Sequence, residues 1–396
     1  MKYDFITSPN RKNDGSAKWN LMYEWNTNVP EDVVPLSIAD MEFLNPPEIT
    51  EGLAEFSKKV VYGYTSPTLE YKDSVKRWMA NRHNFDIEHD WIVNTSGVVS
   101  AIFTAIKAYT EIGDGVIIMT PVYYPFYNAV EKTGRTLVKN PLINKNDYYE
   151  INFEELEKLC KKEENKLIIF CSPHNPIGRV WKEAELKKLE EIVVKNNMLL
   201  VSDEIHNDIV MKGHKHTIFQ TLSEEISNRV ITCTAPSKTF NLAGLACSNI
   251  IIKNESLREK FKTSMQEVGG MMVNIFGYEG CKLAYNNCEN WLEELLEVIE
   301  VNKNMVINFF KEKYPKITVT KMEGTYLQWI NFKCLGLNKE DLEKFMHEKA
   351  YFMTDEGYIF GLEGEGYERV NLAVPTEKLK ICLDYLDKAL ELVYKK

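Results

Sequence analysis

What the chain lacks narrows its class first. It holds no uninterrupted apolar run approaching eighteen residues, so no segment reads as a membrane-spanning helix. Met1 to Asn10 carries no apolar stretch of the kind a secretory leader needs. Positive charge is in deficit: 48 Lys and Arg stand against 58 Asp and Glu, a formal net charge of -10, with no concentrated basic stripe. Nucleic-acid binding, which rests on such a stripe, is therefore not expected. Cysteines are present, but no two form a C-x-x-C pair and several sit inside apolar runs. Free thiols in a reducing compartment are expected rather than disulfides or a zinc site. Low-complexity linkers, solenoid repeats, a Walker loop and a serine nucleophile elbow are also missing. Gly361, Gly364 and Gly366 fall outside the strand–turn–helix setting of a dinucleotide loop. His214 and His216 lie in a polar loop with no ligand cluster nearby, so both are expected to be solvated and no metal site is expected. A cytoplasmic enzyme or regulator is what remains.

What is present suffices for a large core. The chain runs to 396 residues, with hydrophobic content of 44% and charged content of 27%, as in a globular protein of two ordinary domains. Asn45-Pro-Pro47 marks a break, Pro47 opens a helix to about residue 60, and helical periodicity returns over 69–83. From there apolar runs alternate with amphipathic stretches. Strands are expected at 91–94, 115–119, 136–139, 166–170, 198–201, 230–233 and 248–252, with helices at about 99–109 and 183–196. Continuous apolar strands between helices predict an α/β fold whose mostly parallel sheet is covered on both faces. Beyond residue 253 the pattern changes. A long helix over about 291–313, strands at 317–320 and 325–330, a helix at 338–349, a strand around Glu368-Arg-Val-Asn-Leu372 and a helix over 376–394 read as a small α+β unit.

In such sheets ligands bind beyond the carboxyl ends of the strands. Gly97, Tyr123, Asn175, Asp203 and Lys238 each follow a different expected strand, so five distant loops converge on one crevice. Lys238 lies in Thr234-Ala-Pro-Ser-Lys-Thr-Phe-Asn-Leu-Ala-Gly244, just after a β-branched run. A lysine there carries a charge that is costly to bury, and an imine to an aldehyde cofactor removes it. A surface-loop lysine would look the same in isolation. A pyridoxal phosphate site also needs a carboxylate at the pyridine nitrogen, a flat partner for the ring, and hydroxyls with free backbone N–H groups for the phosphate. Asp203, ionised beside the cation it would face, suits the first need. Tyr123 suits the second, and Thr95-Ser-Gly-Val98 leading into an apolar helix the third. Each has an ordinary counterpart: a turn aspartate, a core tyrosine, a plain capping sequence. Asn175 can donate to the phenolic oxygen of the cofactor. Arg369 can grip a substrate carboxylate in two-pronged fashion, or simply form a surface salt bridge.

Taken together, Asn175-Pro176 with Gly178, Asp203-Glu204 and Ser237-Lys238 resemble the signature of the fold type I, class I/II aminotransferase superfamily of pyridoxal phosphate enzymes. Within it, Tyr62-Gly-Tyr-Thr, Pro121-Val-Tyr-Tyr-Pro-Phe126, Cys171-Ser-Pro-His-Asn-Pro176, Ser202-Asp-Glu-Ile-His206, Ala235-Pro-Ser-Lys-Thr-Phe-Asn241 and Glu323-Gly-Thr-Tyr-Leu-Gln-Trp329 are similar to the MalY/PatB group of C–S β-lyases over nearly the whole chain. The resemblance implies a large cofactor domain over 48–285 and a small domain built from 1–47 and 286–396. It implies Lys238 as the Schiff-base lysine that also moves the α-proton, with Asp203, Asn175, Tyr123, Ser237, Gly97, Val98 and His206 around the cofactor. Tyr64 would join them from the other subunit of a homodimer. Arg369, Tyr124 and Asn175 would contact the substrate, with Tyr123 and Tyr124 near the reacting atoms. His206 stands where many aminotransferases carry tyrosine, and Ala246 where they place an arginine eight residues past the lysine. Both departures match the lyases. The implied reaction is α,β-elimination on L-cystathionine, L-cysteine or a related β-thio amino acid, giving pyruvate, ammonia and a thiol or sulfide. An aminotransferase on the same scaffold is one alternative, and a partner that binds a transcription factor, as members of the MalY group do, is another.

Overall fold

The computed structural model describes residues 1–270 and 273–394. The first strands are β1 (Ile92–Thr95), β2 (Gly115–Ile118) and β3 (Thr136–Lys139), followed by a short hairpin of β4 (Ile143–Lys145) and β5 (Tyr148–Glu150). β6 (Asn165–Cys171), β7 (Leu199–Asp203), β8 (Val230–Thr234) and β9 (Ser248–Ile251) complete the central sheet. Its order is β1-β9-β8-β7-β6-β2-β3, and β9 alone runs against its neighbours. Successive side chains of a strand point to opposite faces, and the packing follows that period. Ile117, Ile168, Phe170 and Leu200 face the helices Phe153–Cys160 and Glu183–Lys195. Val116, Ile118, Leu167, Ile169, Val201 and Ile231 face the helices Val98–Tyr109 and Glu255–Glu267. Both faces are thus covered, as continuous apolar strands require. The carboxyl ends of β1, β2, β6, β7 and β8 all emerge on one edge.

A second sheet carries β10 (Thr318–Val319), β11 (Leu327–Asn331), β12 (Asp355–Glu356) and β13 (Tyr367–Asn371) in the order β10-β11-β13-β12, all antiparallel. The helices Glu289–Lys313 and Thr376–Val393 pack with it in one continuous apolar core. The N-terminal segment is laced to this sheet: Asn371 N–H donates to Leu36 O and Leu36 N–H to Met353 O, both at 2.8 Å, and Glu42 N–H donates to Ala373 O at 2.9 Å. Helix ends follow local chemistry. The helix Leu69–His83 starts where Thr68 accepts from Tyr71 N–H at 3.2 Å and stops at Asn84, whose left-handed φ of 51° breaks the repeat.

The elements expected from the sequence recur with shifted edges. The strand expected from 325 begins at Leu327, because Thr325 turns the chain at φ 66°. The helix expected over 338–349 is α-helical only to Lys344 and continues as a wider π-turn over Phe345–Lys349. One expectation fails outright. His216 is buried, with Nε2 2.7 Å from Glu204 Oε2, and His214 is half-buried beside Glu323, so neither is a solvated loop histidine. The missing signal was Glu204, a carboxylate twelve residues upstream that the fold brings under the loop.

Candidate active site

Lys238 sits in the short turn Pro236–Thr239 directly after β8, with Pro236 fixing the first helical position. Its Nζ donates to Ala39 O at 2.6 Å, and Tyr326 Oη donates to the same carbonyl at 2.9 Å. Burial pulls the ammonium down to about 8, an effect that Asp40 opposes and Arg369 reinforces. The lysine opens onto a cavity of about 250 Å³ between the two sheets. Gly97, Val98, Tyr123, Tyr124, Asn175, Asp203, His206, Ser237, Lys238 and Arg369 all line it, so ten of the residues singled out in the sequence meet in one place. Tyr64 does not. It is 98% exposed, away from this cavity.

Each wall has a local cause. β7 ends in Asp203, whose Oδ1 accepts from Ile205 N–H at 3.2 Å. Burial pushes its carboxyl up to about 7 against the pull of Ile205 N–H and Lys238. Among the described residues no cation pairs with it directly, and Lys238 acts on it only through its field. The loop after β6 holds Asn175 between cis prolyl bonds at Pro173 and Pro176, and the loop after β2 carries a third at Pro121. His174 Nε2 lies 2.8 Å from Pro121 O, and because a carbonyl only accepts, Nε2 carries the proton. Tyr123 N–H donates to Asn175 O at 3.2 Å, so the loops after β2 and β6 are tied together. Gly97 opens the helix Val98–Tyr109, and a Cβ added there would meet no protein atom within 4 Å.

Arg369 comes from β13 and is 2% exposed, not a surface ion pair. Its Nη1 donates to Asn175 Oδ1 at 3.0 Å, and Nη2 pairs with Asp355 of β12. Phe360 covers the guanidinium, 4.7 Å from ring centroid to Cζ. His206 is buried with Nδ1 lacking a hydrogen bond, edge-on to Tyr326. Burial together with the positive charges of Lys238 and Arg369 keeps it neutral. Sequence reasoning missed Asp355, Ile38, Ala39 and Cys247 in the lining. Ile38 and Ala39 arrive because Asn371 Nδ2 donates to Ile38 O at 2.8 Å and to Asp40 O at 2.6 Å, a contact 331 residues apart in the chain for the latter.

The donor set fits pyridoxal phosphate. Gly97 leaves an open cradle at a helix N-terminus, as an anion requires, with the Ser237 hydroxyl on its rim. Asp203 is a buried carboxyl suited to a ring N–H, and Lys238 is an amine that burial helps to deprotonate. Fold and site together define the fold type I class of pyridoxal phosphate-dependent enzymes. Residues 31–386 match the model for aminotransferase class I and II, and the chain belongs to that family. It is 41% identical over 340 residues to the cystathionine β-lyase PatB of Bacillus subtilis, covering 86% of this chain and 88% of that one. It is 27% identical over 380 residues to the protein MalY of Escherichia coli, covering 96% of each. The crystal structure of cystalysin from Treponema denticola, which contains a pyridoxal 5'-phosphate cofactor, matches 99% of both chains at 51% identity with a TM-score of 0.97.

Proposed function

We propose that this protein is a pyridoxal phosphate-dependent carbon–sulfur β-lyase acting on L-amino acids that carry sulfur on Cβ, with L-cystathionine and L-cysteine as the substrates to try first. The observation that carries this reading is the single cavity in which a lysine pulled down to about 8 faces Asp203 and Arg369. The wall there is Ala246, at the position where aminotransferases place a further arginine. When bound, the cofactor supplies an electron sink conjugated to the substrate's α-carbon. The remaining work belongs to the chain. Arg369 holds the substrate carboxylate, with Asn175 Oδ1 fixing the guanidinium plane. Lys238 Nζ, whose pull down to about 8 leaves a usable share of free amine near neutral pH, takes the α-proton, and the sulfur leaves Cβ with the electrons of the C–S bond. Tyr123 is assigned to the ring face, and Tyr124, 41% exposed at the mouth, to the leaving group. His206 packs behind the site as a neutral ring. Gly97, Val98 and Ser237 are assigned to the phosphate.

Three further assignments belong to this reading. The division into a domain of 48–285 and one of 1–47 with 286–396 is supported by the hydrogen bonds that join Leu36 and Glu42 to the second sheet. A homodimer that brings Tyr64 to the partner's phosphate is supported by its exposure of 98%, beside Val61 at 84% and Tyr62 at 67%. A cytoplasmic site is supported by cysteines that are all free. None of the helices is long and apolar enough to cross a membrane among the described residues. The test is pyruvate release from L-cystathionine and L-cysteine with no 2-oxo acid added. Amino-group transfer that strictly requires a 2-oxo acceptor would replace the lyase by an aminotransferase.

A further inference from the structure

The second sheet holds another group of ligating side chains, outside the cavity of Lys238. Glu343 and His347 lie one turn apart at the junction of the α-helix and the π-turn, and Glu356 reaches them from β12. One donor atom from each lies within 4.8 Å of the other two. His347 is 4% exposed, and its Nε2 makes no hydrogen bond although Glu356 Oε1 stands 3.4 Å away. The ring is fixed from both sides of the chain. Trp25 stacks on it at 4.2 Å with the planes 10° apart, and Asn26 Nδ2 donates to the His347 carbonyl at 2.9 Å. Tyr358 Oη donates to Glu343 Oε2 at 2.9 Å, orienting that carboxylate as outer partners of metal ligands do.

The carboxyls of this group have no lysine or arginine partner among the described residues. Glu368 stands opposite Glu356 in the β12–β13 ladder, 1% exposed, and accepts from Thr354 Oγ1 at 2.8 Å. Among the described residues no lysine or arginine makes an ion pair with Glu343, Glu356 or Glu368, and Asp355 next in the chain is taken by Arg369. A protonated His347 would neutralise one carboxylate, yet its Nε2 lacks hydrogen-bond geometry to Glu356. One imidazole and two carboxylates, from adjacent helical turns and the strand β12, match the mixed nitrogen and oxygen ligation of a divalent transition metal. We propose, against the expectation from the sequence, that Glu343, His347 and Glu356 form a binding site for a divalent metal ion of the zinc type. Zinc bonds of ~2.0–2.1 Å require the donors to draw in by on the order of 1 Å, which the two glutamates can supply by side-chain rotation. Half-buried Glu343 gives the ion its access from solvent. The site does not depend on the lyase reading.

The test is calorimetric titration of the holoenzyme with Zn²⁺ after chelator dialysis, in a Cys334→Ser background that removes the exposed thiol. One ion per chain is expected, with affinity weakened about tenfold or more by His347→Ala and by Glu356→Gln. His89→Ala, at a partly exposed histidine paired with Asp73, leaves it unchanged. Co²⁺ in place of Zn²⁺ gives visible ligand-field bands that vanish in His347→Ala. Absence of stoichiometric binding by the wild-type chain overturns the proposal, and so does equal affinity in the two variants. Should His347→Ala fail to fold, Glu343→Gln at its half-buried position reads the same question, and unchanged affinity there also overturns it.

Discussion

At the scale of single residues, the decisive quantity is the protonation of Lys238. An ordinary lysine holds its proton to 10.5, and burial lowers that to about 8 in the folded chain. Only the free amine attacks an aldehyde, so the amine available for cofactor capture grows roughly tenfold per pH unit below that value. Uptake of pyridoxal phosphate by the cofactor-free protein, followed by its visible absorption, should accelerate with pH and level off near 8. A rate still climbing tenfold per unit at pH 10 would mean that the lysine is not buried as described. Stability carries the matching sign. Between about 8 and 10.5 the unfolded chain binds a proton that the folded one does not, so the cofactor-free fold gains stability as pH rises through that window. The residues legible from sequence were those whose chemistry and strand-end position coincide: Lys238, Asp203, Asn175, Tyr123 and Gly97. Asp355 was not, since the acidic pair in Thr354-Asp-Glu-Gly357 matches no motif and Asp355 acquires meaning only through register with Arg369. His216 was misread for a similar reason, its partner Glu204 having been absorbed into the Asp-Glu pair.

At the scale of elements, the turn carrying Lys238 is anchored from behind by a buried carboxylate. Asp208 Oδ2 accepts from Thr239 Oγ1 at 2.7 Å, Oδ1 lies 2.7 Å from His83 Nε2, and Trp78 Nε1 donates to Oδ1 at 3.1 Å. One side chain therefore ties the lysine turn to the helix Leu69–His83. Burial pushes the Asp208 carboxyl up, but His83, Arg82 and Thr239 together hold it below its ordinary value. Its contribution is present above the ordinary carboxylate range and is lost as pH falls through the lowered one. Asp208→Ala leaves three donors unpaired in the core and should cost about 3–5 kcal/mol in denaturant unfolding, with Asp208→Asn milder. A loss below about 1 kcal/mol would show the network to be dispensable. The long apolar strands β6, β7 and β8 were readable because burial on both faces demands uninterrupted Leu, Ile and Val. The hairpin of β4 and β5 and the two-residue β12 were not, being short and set by side-chain partners far along the chain. Asn146 and Asp147, with φ of 53° and 61°, make the hairpin's tight turn, a signal present in the sequence but weak without flanking apolar residues.

At the scale of the whole molecule, the proposed dimer makes a prediction that separates the two subunits' contributions. A single sequence specifies Tyr64 without specifying whose site it serves, because that depends on the symmetry of the assembly. Tyr64 projects into solvent at 98% exposure while the cradle at Gly97 remains open on its own chain. If each phosphate is gripped by the partner's Tyr64, then Lys238→Ala and Tyr64→Ala chains, each feeble alone, should complement when unfolded together and refolded. In a mixed dimer, the Tyr64→Ala chain keeps its own Lys238 and receives an intact tyrosine from the Lys238→Ala chain. The opposite site carries both defects. Random pairing of equal amounts gives half mixed dimers, each with one sound site of two, so about one quarter of wild-type pyruvate formation should return. If Tyr64 instead served its own chain, every site in the mixture would contain one defect and no activity would reappear. The outcome depends on where the tyrosine acts rather than on how much it contributes, so it remains readable even if Tyr64→Ala alone retains part of its turnover.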